Sequence, residues 1–158
     1  MDKITFRYDV PLEDTMEFEE IYCAELQSNL LEKEAIRSTP GSIFVWMFVD
    51  EHLVGESYGK PPCDDRVAAS HPTLKPWEGI HCWSTTIIPR LQSRRLGTEL
   101  KAHWLQIARS KGYKLVSGIA RPGPSMKLNS NFGAKIVTTE PNWCGSGEEC
   151  LVYSLILD

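Results

Sequence analysis

The densest chemistry in the chain lies in the turn Gln92-Ser93-Arg94-Arg95-Leu96-Gly97-Thr98. A strand-like run, Ser84 to Ile88, rich in β-branched residues and ending in two isoleucines, leads into it and is closed by Pro89, and a stretch of helical periodicity starts at once. A helix that begins directly after a strand leaves its first N–H groups without intrahelical partners, and they converge in front of the helix. Those amides favour an anion, and the helix dipole adds roughly 0.3–1 kcal/mol. The guanidinium groups of Arg94 and Arg95 add charge-assisted hydrogen bonds, and Gly97 lets the backbone come close because it has no Cβ. The chemistry expected of this turn is the seating of a phosphate-bearing ligand. It is neither Gly-x-x-x-x-Gly-Lys-Ser/Thr nor Gly-x-Gly-x-x-Gly, which argues against a nucleoside triphosphate loop and a dinucleotide fold.

The turn resembles the pyrophosphate loop of the Gcn5-related N-acetyltransferase (GNAT) family, whose pattern is Gln/Arg-x-x-Gly-x-Gly/Ala at a strand-to-helix junction. Gln92 and Gly97 match it. Arg95 stands where the family has its first glycine, so the backbone there is expected to do without positive φ. The likeness continues in order through the strand end Ser84-Thr85-Thr86-Ile87-Ile88-Pro89, the helix, a strand from Lys114 to Ile119, and Asn131-Phe132-Gly133-Ala134-Lys135. It covers most of the chain.

The resemblance implies a single domain over residues 1–158 with the acyl-CoA N-acyltransferase fold. That fold is α+β, layered α/β/α, with a mixed, mostly antiparallel sheet of about seven strands and about four helices. It implies acetyl-CoA as co-substrate and direct attack by an amine of a small molecule or a protein on the thioester. The pyrophosphate would lie on the N–H groups from Gln92 to Thr98, and the pantetheine arm beside the strand end at Ile87 and Ile88, in a slot where the fourth and fifth strands splay apart. The Ile88 N–H would stabilise the negative charge gathering on the thioester carbonyl. An amine of ordinary pKa is protonated at neutral pH, so freeing its lone pair costs roughly 4 kcal/mol, which makes Glu78 and His81 the candidate bases.

The family tyrosine that protonates the departing thiolate falls at Asn129, whose amide cannot act as an acid. Ser125, one helical turn earlier, is a candidate relay, with bulk water, Tyr153 or Tyr113 as other sources of the proton. A non-catalytic module on the same fold, binding acyl-CoA or a partner protein, stays open beside the enzyme. Acidic side chains around the presumed cleft, Glu56, Asp64, Asp65 and Glu78, would suit a cationic amine. A homodimer through an exposed C-terminal strand is a further possibility.

The elements that must position these groups alternate along the chain. Lys3 to Tyr8 reads as a strand, Leu12 to Ile36 as one or two helices, and Ser42 to Val49 with Leu53 to Tyr58 as a hairpin around Asp50-Glu51-His52. Gly59 to Gly79 shows no period and reads as a loop, either a tolerated insertion or a substrate-gripping flap, with Trp77 and Glu78 at its end. His81 to Ile88 is the fourth strand. The helix that follows presents Leu96, Leu100, Trp104, Ile107 and Ala108 on one side and Lys101 largely elsewhere, and Gly112 stops it. Leu115 to Ile119, a short helix over Pro124 to Asn131, Ala134 to Thr138 and Cys150 to Leu157 complete the series, with Pro141 to Gly147 as a hairpin loop.

Composition fits one ordinary globular domain: 158 residues, 42% hydrophobic and 24% charged. A formal net charge of -4 argues against nucleic acid as the main partner. No apolar run reaches the roughly 20 residues of a membrane span, and Met1 to Thr5 lacks the apolar core of a signal peptide, so a cytoplasmic protein is expected. The five cysteines, an odd number without pairwise spacing, read as reduced thiols. Cys63, His71, His81 and Cys82 are metal-competent types at the wrong spacing for a zinc site, and no metal is expected.

Overall fold

In the computed structural model the described residues are 3–22, 30–141 and 147–158, without the side chains of Tyr22, Ser93 and Arg94. Within them, the seven strands are β1 Ile4–Arg7, β2 Ile43–Val49, β3 His52–Lys60, β4 Gly79–Ile87, β5 Leu115–Ala120, β6 Lys135–Glu140 and β7 Cys150–Ile156. The helices are α1 Glu13–Tyr22, α2 Leu30–Ser38, α3 Asp65–Ala69, α4 Leu96–Ser110 and α5 Pro124–Asn131. All strands join one sheet in the order β1-β2-β3-β4-β5-β7-β6. Every neighbouring pair is antiparallel except β4 with β5.

The local reasons are in the sequence. β2, Ile-Phe-Val-Trp-Met-Phe-Val, is apolar at every position because both faces of its strand are covered. Ile43, Val45 and Met47 meet Leu100, Trp104 and Leu105 of α4 on one face. Phe44, Trp46 and Phe48 meet Leu12 and, from α2, Leu30 and Ile36 on the other. Burying each such large side chain contributes about 1.5–3 kcal/mol. The turn between β2 and β3 is Asp50-Glu51, both at positive φ (49° and 70°), which matches the twist of a two-residue hairpin. Asp50 also accepts the Lys3 N–H (3.0 Å) and so fixes β1 beside it.

Residues 59–79 differ from the structureless loop expected. β3 runs on to Lys60, and the rest forms α3 and a 3-10 turn, Pro76–Glu78. Asp64 caps α3 by accepting the Arg66 N–H (2.8 Å), and Val67 is fully buried against Cys63, Leu115 and Val152. The segment therefore covers the β5–β7 half of one face, while α1 and α2 cover the β2–β3 half. Between these two covers, β4 is left with lighter cover. The C-terminal strand is also not the exposed edge that was expected for a dimer. β7 pairs with β5 on one side and β6 on the other, and the sheet edges are β1 and β6. Among the described residues no helix is long and apolar enough to cross a membrane.

The α1–α2 cover is fastened by buried charge. Lys33, fully buried, donates to Thr15 Oγ1 (2.7 Å) and to Glu56 Oε1, and lies 3.2 Å from Glu19 Oε2. Trp46 Nε1 donates to Glu56 Oε1 (2.9 Å) and Tyr58 OH to Glu19 Oε1 (3.0 Å). Two carboxylates thus share one ammonium, and the surplus charge is costly out of water. Burial, reinforced by Glu19 and opposed by Lys33, pushes the Glu56 carboxyl up to about 7. An acid whose pKa rises on folding holds its proton more tightly in the native state. Its contribution is therefore complete below the ordinary value of 4.5 and is lost as pH climbs through about 7. Unfolding free energies from urea titration should fall between about pH 5 and about pH 8, and Glu56→Gln should remove most of that slope. An unchanged slope in the variant would place the titrating group elsewhere.

Candidate active site

β4 and β5 pair over only four positions, Gly79 with Leu115 through Cys82 with Gly118. Beyond them β4 continues five residues, to Ile87, and the two strands part. A bulge sits where they separate: Tyr58 pairs with Ser84 and Gly59 with Cys82, so Trp83 is the extra residue. On the β3 side the ladder is intact, and it extends to the Ile88 N–H, which donates to Val54 O (2.9 Å). Alternation in an antiparallel ladder then turns the backbone groups of Thr85 and Ile87 away from β3, into the gap. The gap is a cleft of about 250 Å³, lined on the β4 side from Cys82 to Ile87 and on the other by Ile119, Ala120 and Arg121, with Ser125, Leu128 and Asn129 of α5 at its flank.

The Ile88 N–H, expected to stabilise the thioester oxygen, is therefore already used by Val54. The groups that remain are those of Thr85 and the Ile87 N–H, one residue out of phase with that expectation. The Ile87 carbonyl accepts the Gln92 Nε2 (3.0 Å), so Gln92 braces the turn against the strand end.

At the mouth of the cleft the chain makes a 3-10 turn, Pro89–Arg94, and enters α4. Arg95 joins the two at φ 62° and ψ 16°, a left-handed conformation, contrary to the expectation that this position avoids positive φ. A non-glycine residue held there costs roughly 1–2 kcal/mol. The Leu96, Gly97 and Thr98 N–H groups form the first turn of α4 and lack helical partners. A Cβ built on Gly97 would meet only Ile87 and Leu128, each at 3.8 Å, so nothing inside the fold demands glycine there. Both neighbours line the cleft, and the bare Gly97 backbone suits a ligand that lies against it. Thr98 and Arg95 are exposed at this mouth, while the Arg94 side chain lies outside the described residues.

Glu78 stands at the opposite end of β4, roughly 30 Å of extended chain from Ile87. It accepts the Lys75 N–H (2.9 Å) and pairs with Lys114 Nζ (2.7 Å), and the Lys114 bond in particular holds its carboxyl below the usual range. His81 is buried on the face of β4 opposite Cys82. Its Nδ1 lies 2.7 Å from Ser117 Oγ, which also accepts the Asp64 N–H (2.7 Å), and its ring meets the cleft-lining Trp83 edge-on at 4.8 Å. Burial pushes the imidazole down to about 4, against the pull of Asp64. It is neutral at physiological pH and a weak base. Ser125 is exposed on the cleft flank, and Asn129 donates its Nδ2 to Ser125 O (3.0 Å). Tyr113 is far from the cleft, with its OH donated to Gly41 O (2.7 Å). Of the acidic residues, Glu56 is inside the Lys33 cluster, Asp64 is bound to Arg66 (2.9 Å) and Glu78 to Lys114, so none of these three offers an open carboxylate to an amine. Cys63 and Cys82 lie on opposite faces of the sheet, and no metal-ligand cluster is found among the described residues.

The structure also collects a group that the sequence reading passed over. Lys101, expected on the outer side of α4, is 1% exposed and sits at the vertex of the cleft. Its Nζ lies 2.9 Å from Tyr153 OH and 3.4 Å from Cys82 Sγ. Cys82, Gly118 and Tyr153 form one row across β4, β5 and β7, and a side chain at Gly118 would run into the Tyr153 ring. Helical spacing does carry the signal: Lys101 precedes Trp104 and Leu105 by three and four positions, on the buried stripe.

No family model and no curated protein matches the sequence. Solved structures do match. Ard1 from Thermoplasma volcanium is 16% identical with a TM-score of 0.75, over 98% of each chain. The ribosomal-protein-S18-alanine N-acetyltransferase from Escherichia coli is 13% identical with a TM-score of 0.73, over 100% of this chain and 95% of that one. The yncA protein of Salmonella typhimurium, solved with its cofactor acetyl-CoA, is 18% identical with a TM-score of 0.71, over 99% and 95%. The chain has the GNAT acyl-CoA N-acyltransferase fold.

The left-handed Arg95 gives a direct test of the mouth. Arg95→Gly should leave unfolding free energy unchanged or raise it by up to about 1 kcal/mol, and Arg95→Val should lower it by about 1–3 kcal/mol. Equal stability of the valine variant in urea titration would show that residue 95 is not left-handed in solution.

Proposed function

We propose that the protein is an acetyl-CoA-dependent N-acetyltransferase that passes the acetyl group directly to an amine of a small molecule or a protein within a ternary complex. The observation that carries this reading is the parting of β4 from β5, which leaves an unused peptide edge leading straight to the free N–H groups of α4. Pantetheine is a pseudo-peptide, and a gap edged by backbone donors and acceptors suits it as an added strand would. In this reading Thr85 and Ile87 hold the arm, the Leu96, Gly97 and Thr98 N–H groups hold the pyrophosphate, and Arg95 adds charge. Bound acetyl-CoA supplies an activated acyl thioester. The Thr85 N–H, nearer the vertex than Ile87, takes the oxyanion role first expected of Ile88.

The amine has to lose a proton before it attacks, and neither expected base is well placed for this. Glu78 is tied to Lys75 and Lys114, and His81 holds a proton too weakly to draw one from an ammonium. Water in the cleft is the proposed acceptor, so the rate follows the free-amine fraction. A second reading, a non-catalytic acyl-CoA-binding module, is favoured by one observation: Asn129, at the family tyrosine position, is committed to Ser125 and has no acidic proton. Thiol release in the presence of an amine separates the two. The proposed location is the cytoplasm, in keeping with the buried free thiols Cys63 and Cys82.

Isothermal titration should show saturable micromolar binding of acetyl-CoA and none of ATP. Gly97→Trp should abolish that binding with the fold intact by circular dichroism, because the indole would fill the space between Ile87 and Leu128. Unchanged affinity in a folded variant would sink the cofactor assignment. Glu78→Gln should keep turnover within about threefold of wild type at every pH, since uniform small losses are what a positioning group gives. A loss of about a hundredfold confined to neutral pH would instead restore Glu78 as the base.

A further inference from the structure

We infer that Lys101 is the cation that receives the negative charge of the departing coenzyme A sulfur, in place of an acidic side chain on α5. This rests on the coenzyme reading above and adds a catalytic residue to it.

The argument begins with an imbalance of charge. Lys101 is as thoroughly buried as Lys33, yet among the described residues Lys33 has two carboxylates and Lys101 has none. Its two partners are the Cys82 thiol and the Tyr153 hydroxyl, and an ammonium has three hydrogens to donate. Among the described residues, the groups that face it are Cys82 from β4, Tyr153 from β7 and, on α4 itself, the Trp104 ring, whose centroid is 5.6 Å from Nζ. Burial pushes the Tyr153 phenol up, so it stays neutral at physiological pH. Burial works against the lysine charge, and the hydrogen bonds accepted by Tyr153 OH and Cys82 Sγ work for it. Among the described residues the walls of the cleft carry Lys101 and Arg121 and no carboxylate, and Arg121 is already engaged by Glu148 at 3.3 Å. A buried, unpaired cation costs several kcal/mol unless something offsets it. Here the offset is an anion that enters the cleft.

The position is also specific. Lys101 lies beneath the last paired residues of β4 and β5, where a pantetheine arm that runs inward from Ile87 past Thr85 must end. Gly118 is what admits it, since only the absence of a side chain there lets the Tyr153 ring cross β5 and orient the ammonium. In the transfer, the bond from amine nitrogen to acyl carbon forms as the carbon–sulfur bond breaks. The bonding pair stays on sulfur as a thiolate against the Lys101 ammonium, and the proton lost by the amine goes to water. The thiolate takes up its own proton in solvent after release.

The coenzyme A complex tests this without any acceptor amine. The thiol of bound coenzyme A is titrated by its ultraviolet thiolate absorbance, with the desulfo-coenzyme A complex subtracted to remove the protein thiols. In the wild type it should ionise at least about one pH unit below free coenzyme A, a tenfold gain in thiolate. Lys101→Met should return it to the free value while calorimetry shows coenzyme A still bound. Tyr153→Phe, which keeps the cation, should leave it depressed. A wild-type thiol that titrates like free coenzyme A overturns the inference even if Lys101→Met does not fold. A depression that persists in folded Lys101→Met also overturns it and assigns the effect to Arg121 or the α4 N-terminus. Failure of the wild type to bind coenzyme A in calorimetry is a separate result, and it removes the coenzyme reading and the inference together.

Discussion

Backbone N–H and C=O groups inside a protein have to be bonded to something, and the central sheet leaves some of them without a strand partner where β4 parts from β5. The parallel pairing of β4 with β5 stops at Cys82 and Gly118, while β4 runs on to Ile87 with one side of its ladder satisfied by β3. The other features of the site are arranged around the side that is left over. The Trp83 bulge turns β4 away from β5, Gln92 steadies the end of the parted strand, and the left-handed Arg95 swings the chain so that α4 starts with its amides facing the same opening. Loop, strand and helix share one consequence: the backbone groups of Thr85, the Ile87 N–H and the first amides of α4 are left facing one opening.

Two buried lysines show how differently the fold treats charge. Lys33 is surrounded by Glu19, Glu56, Thr15 and Trp46, and its cluster fastens the α1–α2 cover to β3. Such a cluster resists change because breaking one partner strands the others. Among the described residues Lys101 has a thiol, a phenol and the face of Trp104, and no carboxylate, at the vertex of an open cleft. The first arrangement is complete in itself and builds the scaffold; the second is complete only with a ligand.

Much of this was legible in the residues. The β2–β3 hairpin, the helix stripe of Leu96, Leu100 and Trp104, and the turn from Gln92 to Gly97 follow from period, propensity and breakers, which are local properties. The errors share a cause. α3 is only five residues long, and within 59–79 its capping Asp64-Asp65 was outweighed by prolines that read as a loop. The Ile88 amide was assigned a role that its register with Val54 forbids, and register is set by pairing partners far along the chain. Lysine is seldom buried, yet the spacing of Lys101 from Trp104 and Leu105 puts it on the covered stripe of α4. At Arg95 the residue type suggested ordinary φ, whereas closing the strand-to-helix turn requires the left-handed region whatever the side chain.

The account stands on the claim that the free edge of β4 receives the coenzyme arm. Amide hydrogen exchange at single residues, followed by nuclear magnetic resonance with and without acetyl-CoA, examines that edge directly. Exchange at Thr85 and Ile87 should slow by tenfold or more on saturation, while Thr5 and Phe6 of the distant β1 keep their rates. Saturable binding with no change at Thr85 and Ile87 would contradict the account, because the ligand would then lie elsewhere and the parting of β4 from β5 would need another explanation.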